Sequence, residues 1–262
     1  MALLGLTAAD FRGTLLLRDC LEAQGAFLLV QLIKAALNEA GDGAMGLVPP
    51  PAARRVVLVA AQHAASHYAI VLRKAGLHVP DLLARGRLVV LDLLSMLGTG
   101  LLPLQVLHQQ LAAAVAGGGV AGSGTGRGVC LVADDLSALH CLARGEEDWA
   151  AFLHACTSLG QGPQCCFIGL AHADVEADEG WLARLEHCAA LVLDTEPLEP
   201  GRPASNTGRL AITRREVSTG GGAASSSTGA VATPGCHVLG YRLSEAGPAF
   251  LNHEQHSHPH IL

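Results

Sequence analysis

Lysine is nearly absent from this sequence of 262 residues. Lys34 and Lys74 are its only lysines, and neither follows a glycine. A phosphate-binding loop of the form G-x-x-x-x-G-K-[ST] needs that lysine to neutralise the terminal phosphates of a nucleotide, while its glycines let backbone N–H groups surround them. No standard loop of this kind can therefore be built anywhere in the chain.

Long apolar runs are also missing, although 50% of the residues are apolar. No run reaches the roughly 18 residues that cross a bilayer, and residues 1–10 lack the basic segment of a signal peptide. The eight cysteines contain no C-x-x-C pair, which favours reduced cysteines buried in the core, such as Cys130, Cys165 and Cys166. We expect a globular protein without a membrane partner, located in the cytoplasm, with the nucleus as a second location.

The chain has no basic stripe either, and its formal net charge is −6. A protein that binds nucleic acid alone usually clusters Lys and Arg, because phosphate contacts dominate its affinity. Arg214 and Arg215 are adjacent on a predicted strand and could face RNA or a partner, although ordinary surface arginine is the simpler interpretation. If the chain contacts RNA, we expect partner subunits to help.

Short β-rich runs alternate with helical segments along most of the chain. Apolar runs predict strands at 14–17, 56–60, 88–91, 129–133, 165–170 and 190–193. Apolar spacing and capping residues predict helices at 26–40, from Ser66 as N-cap to about 76, at 102–116 and at 181–187. Trp149, Phe152, Leu153 and Cys156 fall on one face of a further helix. This βαβ order predicts an α/β fold with a mostly parallel central sheet, flanked by helices and followed by an antiparallel pair at 208–215 and 237–243.

The length suits one domain, which we place at residues 1–250. Two segments rich in small residues, 117–128 and 218–235, are predicted to be flexible loops. Residues 251–262 form a His-rich tail, and we expect it to be solvated because no carboxylate or cysteine completes a metal site there. The glycines at 122–126 precede a strand, so they fail the context of a dinucleotide-binding motif.

The turn after the first strand resembles a degenerate phosphate-binding loop. A strand, a Gly-containing turn, a helix and a later strand ending in aspartate outline a RecA-like ATPase. Gly25 could take the second glycine position, but Ala26 then stands where lysine is needed and Phe27 where Ser or Thr is needed. Asp19 and Glu22 would repel phosphate as well. The sequence therefore predicts no nucleotide at this turn.

Other parts of an ATPase site are incomplete. Asp134 and Asp135 follow an apolar strand, as a magnesium-binding aspartate would, but they fit a cap on the helix beginning near Leu136 better. His63 ends the second strand, where a RecA-like ATPase usually has a catalytic glutamate; a single histidine is more often structural. We predict no catalytic, cofactor-binding or metal-binding residue, no cofactor and no enzymatic activity.

Three stretches, at 66–76, 85–91 and 131–137, resemble the sixth-subunit family of the Elongator complex in order and spacing. The resemblance covers roughly residues 14–195, and the degenerate phosphate loop fits it, since that family has a RecA-like fold without nucleotide-binding motifs. It implies a non-catalytic subunit in a hetero-hexameric ring of Elongator subunits four, five and six. The ring docks on the catalytic subcomplex and assists modification of the tRNA wobble uridine, with tRNA contacted through the assembled ring.

Two alternatives stay open from the sequence. The chain could be an active RecA-like ATPase, such as a RecA paralogue in DNA repair, with a non-standard nucleotide site containing Asp134. It could also be an α/β adaptor unrelated to tRNA.

Overall fold

A computed structural model shows how the chain folds. It describes residues 6, 10–37, 55–98, 104–116, 128–162, 165–198, 206–215, 235–245 and 247–252. Most of the two loops and the tail predicted from the sequence lie outside these ranges. Gly235 begins a strand, and residues 251 and 252 end another.

The described strands form one sheet of nine, in the order β3-β2-β4-β5-β1-β6-β7-β8-β9. The first six in that order are parallel and the last three join them antiparallel. Their bounds are β1 Gly13–Asp19, β2 Arg55–Ala60, β3 Leu88–Asp92, β4 Val129–Asp134, β5 Cys166–His172, β6 Leu191–Glu196, β7 Gly208–Arg214, β8 Gly235–Ser244 and β9 Gly247–Asn252. The mostly parallel sheet predicted from the sequence is confirmed.

Helices cover both faces of this sheet. They are α1 Ala26–Leu37, α2 Ala65–Lys74, α3 Val79–Ala84, α4 Leu93–Leu97, α5 Leu104–Ala116, α6 Leu136–His140, α7 Glu146–Gly160 and α8 Glu179–Cys188. Alternation along β1 shows the two layers: Leu15 and Leu17 join the core under α1 and α2, whereas Leu16 joins the core under α5, α7 and α8. Both faces are buried, which is why the strands are continuously apolar.

Local patterns predicted most long elements but missed short ones. The face of Trp149, Phe152, Leu153 and Cys156 lies buried on α7, as predicted. Helices α3, α4 and α6 have only five or six residues each, too few to show helical periodicity, and β9 was missed as well.

The prediction that Ser66 caps the second helix is wrong. Helix α2 begins at Ala65 and its N-cap residue is Ala64, whose methyl side chain cannot form a capping hydrogen bond. Instead the carboxylate of Asp92, at the end of neighbouring β3, accepts a hydrogen bond from the Ala65 N–H at 2.9 Å. The cap comes from across the sheet, because β3 pairs with β2 and ends beside the start of α2.

The cysteines are free thiols, but not all are buried. Cys130, Cys156 and Cys166 are buried, Cys165 is half-buried, and Cys141, Cys188 and Cys236 are exposed. The prediction of buried core cysteines is therefore confirmed for Cys130 and Cys166, whereas Cys165 is only half-buried and the exposed cysteines lie at helix ends and on β8. Within the described ranges, no helix has both the length and the apolar character needed to cross a membrane.

Candidate functional site

The candidate site lies at the carboxyl edge of the parallel strands. Strands β1, β2, β4 and β5 all end there, since they run in the same direction. Ligands of open α/β sheets bind in the crevice outside the carboxyl ends of the strands. The turn between β1 and α1, which would hold phosphate in a nucleotide-binding protein, opens onto this edge.

Asp19, the last residue of β1, is bonded to the turn that follows it. Its Oδ2 atom accepts a hydrogen bond from the backbone N–H of Gly25 at 2.7 Å, and its side chain is only 3% exposed. Gly25 directly precedes helix α1, so this N–H belongs to the group that would face an anion at a helix start. The Asp19 carboxylate therefore accepts the hydrogen bond that this N–H would otherwise donate to a bound anion.

His172, the last residue of β5, lies between two carboxylates. Its Nδ1 atom is 2.6 Å from Asp19 Oδ1, and its Nε2 atom is 3.2 Å from Asp135 Oδ2. The hydrogen bonds to Asp135 and then Asp19 raise the pKa of His172 to about 10. At neutral pH it is therefore an imidazolium that joins the ends of β1 and β4 electrostatically.

Asp135 and Asp134 have different partners. Asp135 is the N-cap of α6, and its Oδ1 atom accepts a hydrogen bond from the Ala138 N–H at 2.5 Å. The capping interpretation is therefore confirmed for Asp135. It is wrong for Asp134, whose Oδ2 atom accepts a hydrogen bond from the hydroxyl of Tyr68 on α2.

The Asp134 carboxyl is buried, and only one of its two oxygens has a hydrogen-bond partner among the described residues. The residue is 1% exposed, and its Oδ1 atom has no hydrogen-bond partner among the described residues. Burial raises the pKa of Asp134 to about 6, with the nearby Asp135 and Asp19 adding to it and the Tyr68 hydroxyl opposing it. Burial and Asp134 likewise raise the pKa of Tyr68.

A cleft of about 440 Å³ opens beside the turn. Its walls come from the β1–α1 turn, from the end of β2 and from the segment after β5, and include Asp19, Leu21, Gln24, Gln62, His172 and Val175. Its charged lining residues are the acids Asp19 and Asp174 with His172 between β1 and β4. Across the described part of the chain, no group of three or more His, Cys, Asp or Glu side chains is arranged to hold a metal ion.

Ala26 and Phe27, the residues at the predicted lysine and hydroxyl positions of the phosphate loop, contact different parts of the structure. Ala26 lines the cleft, where a methyl group offers no charge. Phe27 packs toward the antiparallel strands instead, with its ring centroid 4.9 Å from that of Tyr241 and 6.5 Å from that of Phe250. The turn thus presents carboxylates and an apolar side chain where a nucleotide would need a cation and a hydroxyl.

The remaining sequence candidates have structural partners. His63 lines the cleft, and its ring centroid lies 4.1 Å from that of His67. Arg214 pairs with Asp10 at 2.9 Å and Arg215 with Glu186 at 3.0 Å. Both arginines are half-buried and form ion pairs within the chain, which fits the interpretation as ordinary arginines near the surface.

Sequence reasoning missed His172 and Tyr68. A signal for His172 existed, because a histidine that ends a predicted parallel strand must lie at the same edge as Asp19 and Asp135. No comparable signal exists for Tyr68, which reaches Asp134 from the middle of a helix.

Three solved structures share this architecture, each 13% identical to the chain. A KaiC-like protein of the hyperthermophilic archaeon Pyrococcus horikoshii has a TM-score of 0.59, covering 91% of this chain and 88% of its own. An uncharacterised protein of Pyrococcus horikoshii in complex with an unknown peptide has a TM-score of 0.61, covering 93% of each chain. The flagellar accessory protein FlaH of Methanocaldococcus jannaschii has a TM-score of 0.56, covering 91% and 88%.

These similarities show the fold: the chain has a RecA-like α/β architecture with a mostly parallel central sheet and flanking helices. No family profile and no curated protein matches the sequence.

Proposed function

We propose that this chain is a non-catalytic subunit of the Elongator complex. In this role it is a member of the hetero-hexameric RecA-like ring of subunits four, five and six, which docks on the catalytic subcomplex and assists tRNA wobble uridine modification. The RecA-like fold and the three sequence stretches that resemble the sixth-subunit family support the proposal.

The observation that carries the non-catalytic part is the hydrogen bond between Gly25 N–H and Asp19. A phosphate group needs that N–H and a nearby cation. Here a buried carboxylate accepts the hydrogen bond of that N–H, and His172, the one cation within hydrogen-bonding distance of this carboxylate among the described residues, is shared with Asp135. Binding a triphosphate would require breaking these contacts and placing its charge beside Asp19 and Asp135, which is unfavourable at short range.

The three stretches that resemble the Elongator family lie together in the fold. Tyr68, in the first stretch, hydrogen-bonds Asp134 in the third. The carbonyl of Arg87, in the second stretch, accepts a hydrogen bond at 2.8 Å from Val56 of β2, the strand between β3 and β4. The three stretches therefore lie on neighbouring elements of this fold.

Co-purification with mass measurement tests the assembly. We expect the chain, produced together with Elongator subunits four and five, to elute as a complex with two copies of each subunit. A chain that stays monomeric in the presence of both subunits would exclude ring membership.

A cellular test addresses the role in tRNA modification. We expect loss of the protein to reduce the modified wobble uridine in tRNA, measured by mass spectrometry of nucleosides, and Asp134→Asn to restore it as well as the original chain. Modification that survives loss of the protein would instead favour an adaptor unrelated to tRNA.

The buried Asp134 at the end of β4 is the observation that favours the alternative, a RecA-like ATPase with a non-standard nucleotide site. Calorimetric titration of the isolated chain with millimolar ATP and magnesium separates the two functions. We expect no binding. Binding that Asp134→Ala abolishes would establish the alternative and overturn the non-catalytic role.

A further inference from the structure

The two faces of the sheet carry helices of opposite charge, although the formal net charge of the chain is −6. Helices α1, α2 and α3 pack on one face, and α5, α7 and α8 pack on the other. On the second face, α7 and α8 together contain five acids and one arginine, Arg184. The segments that carry the first three helices, residues 26–37 and 55–91, contain six lysines and arginines and one acid, Asp81. The six are Lys34, Arg55, Arg73, Lys74, Arg85 and Arg87.

Three of these cations meet where α1 and α2 end. Lys34 lies in the last turn of α1, and Arg73 and Lys74 lie in the last turn of α2. A Cβ atom placed on Gly76 would be 3.9 Å from the Lys34 Nζ atom, so the ammonium group lies beside the chain that leaves α2. We call Lys34, Arg73 and Lys74 the basic cluster. Its members come from separate segments of the sequence, which is why no basic stripe is visible there.

The basic cluster is not neutralised within the described part of the chain. No ion pair joins any of its three members to a described acid, and Asp81 pairs with Arg85 at 2.9 Å instead. Arg73 and Lys74 are exposed, and Lys34 is half-buried. A cation in the last turn of a helix stabilises that helix through its dipole. That role alone does not account for three cations that meet at two helix ends without an acid.

The chemistry of the basic cluster fits phosphate groups better than it fits a protein surface. Lysine is depleted at protein–protein interfaces, whereas lysine and arginine supply the main contacts of proteins with nucleic-acid phosphates. Both lysines of the chain belong to the basic cluster. Phosphates repeat along an RNA strand, so a single strand offers an anion to each of the three cations.

We propose that the basic cluster is the surface through which this chain binds the phosphate backbone of RNA. Lys34, Arg73 and Lys74 each contact a phosphate and read no base, so binding is independent of sequence. The RNA stays on the face of α1 and α2, because the acids of α7 and α8 repel it on the other face. The identity of the RNA as tRNA rests on the proposed function, whereas the phosphate contact itself does not.

Binding of the isolated full chain to a fluorescent single-stranded RNA of mixed sequence, measured by anisotropy at low salt, tests the proposal. We expect a dissociation constant of about 10–100 µM for the original chain. Arg73→Gln combined with Lys74→Gln should weaken binding about tenfold, because two phosphate contacts are lost. The matched control is Arg144→Gln combined with Arg184→Gln, which removes the same charge at side chains that are each 69% exposed beside α7 and on α8. It should leave the dissociation constant nearly unchanged.

The salt dependence counts the phosphate contacts. For a single strand, the logarithm of the binding constant falls with the logarithm of the salt concentration by about 0.7 for each phosphate that is neutralised. Lys34→Gln should therefore reduce this slope by about 0.7. Lys34→Arg keeps the charge and should keep the slope, which separates a charge contact from a purely structural role of the lysine. An identical slope in Lys34→Gln would remove Lys34 from the site.

Circular dichroism and thermal unfolding check that the variants fold like the original chain. The proposal is overturned if the original chain does not bind RNA, if Arg73→Gln with Lys74→Gln binds RNA equally well, or if the control pair loses as much affinity. Tighter binding to phosphatidylglycerol vesicles than to RNA at equal phosphate concentration would assign the basic cluster to a membrane surface and overturn it too. So would a double variant that keeps RNA binding but loses association with the Elongator catalytic subcomplex, since the partner is then a protein.

Assembly with subunits four and five is measured separately, so that the two proposals fail independently. If the original chain does not assemble but loses RNA binding in the double variant, ring membership is wrong and the RNA surface stands. If the chain assembles and RNA binding is unchanged in the double variant, ring membership stands and the RNA surface is wrong.

Discussion

Two regions at the same edge of the sheet differ in how much of a RecA-like ATPase pattern they show. The turn after β1 lacks the lysine and hydroxyl of a phosphate loop, and the Gly25 N–H donates a hydrogen bond to Asp19 instead. The end of β4 still carries the acidic pair Asp134 and Asp135. The difference teaches that a pair of carboxylates at a strand end can have structural partners, since Asp135 caps α6 and Asp134 accepts a hydrogen bond from Tyr68.

His172 joins the two regions, so its replacement should lower the free energy of unfolding more than the other substitutions. We expect His172→Gln to lower the free energy of unfolding at pH 7 by about 3 kcal/mol, because Asp19 and Asp135, each 3% exposed, lose the cation between them. Urea unfolding measures it. His154→Gln, at an exposed position of α7, should stay within about 0.5 kcal/mol.

The same variant tests the pH dependence. The pKa of His172 is raised in the folded protein from 6.5 to about 10. Its contribution is therefore complete below pH 6.5 and is lost as the pH rises through about 10. The stability difference between the original chain and His172→Gln should shrink across that window, and a constant difference would show that His172 is not the link.

Asp19→Ala should have the next largest effect. It removes the acceptor of the Gly25 N–H and one of the two carboxylates that bind His172, and we expect a loss of about 2 kcal/mol in the free energy of unfolding. Formate should raise the unfolding temperature of this variant by replacing the missing carboxylate, and should not affect the original chain. Asp81→Ala, which removes a surface pair with Arg85, serves as control and should show neither effect. A variant indifferent to formate would mean that Asp19 does not fill an anion position.

The smallest effect concerns the second region. The pKa of Asp134 is raised by burial from 3.8 to about 6, so its protonated form stabilises the fold below about pH 4 and this contribution is lost as the pH rises through about 6. Asp134→Asn cannot ionise and still offers Tyr68 an acceptor. We expect its stability relative to the original chain to improve by about 1–2 kcal/mol between pH 4 and pH 7, measured by urea unfolding. An unchanged difference would show that Asp134 remains ionised throughout.

Much of the fold was predictable because burial leaves a local pattern. Apolar runs located the parallel strands, and the spacing of Trp149 to Cys156 located α7. The site was predictable only in part. The gap at Ala26 and Phe27 was visible in the sequence, but the cap of α2 by Asp92 was not, since its two partners are 27 residues apart.

The sequence by itself determined that no standard phosphate-binding loop can form at this edge of the sheet, since the chain contains no Gly-Lys pair. Only the tertiary structure decided what fills the position. Asp19 and His172 are 153 residues apart and meet because β1 and β5 pair in a register that places them side by side. Strand order and register arise from the packing of the whole sheet, so no local pattern of residues encodes that contact.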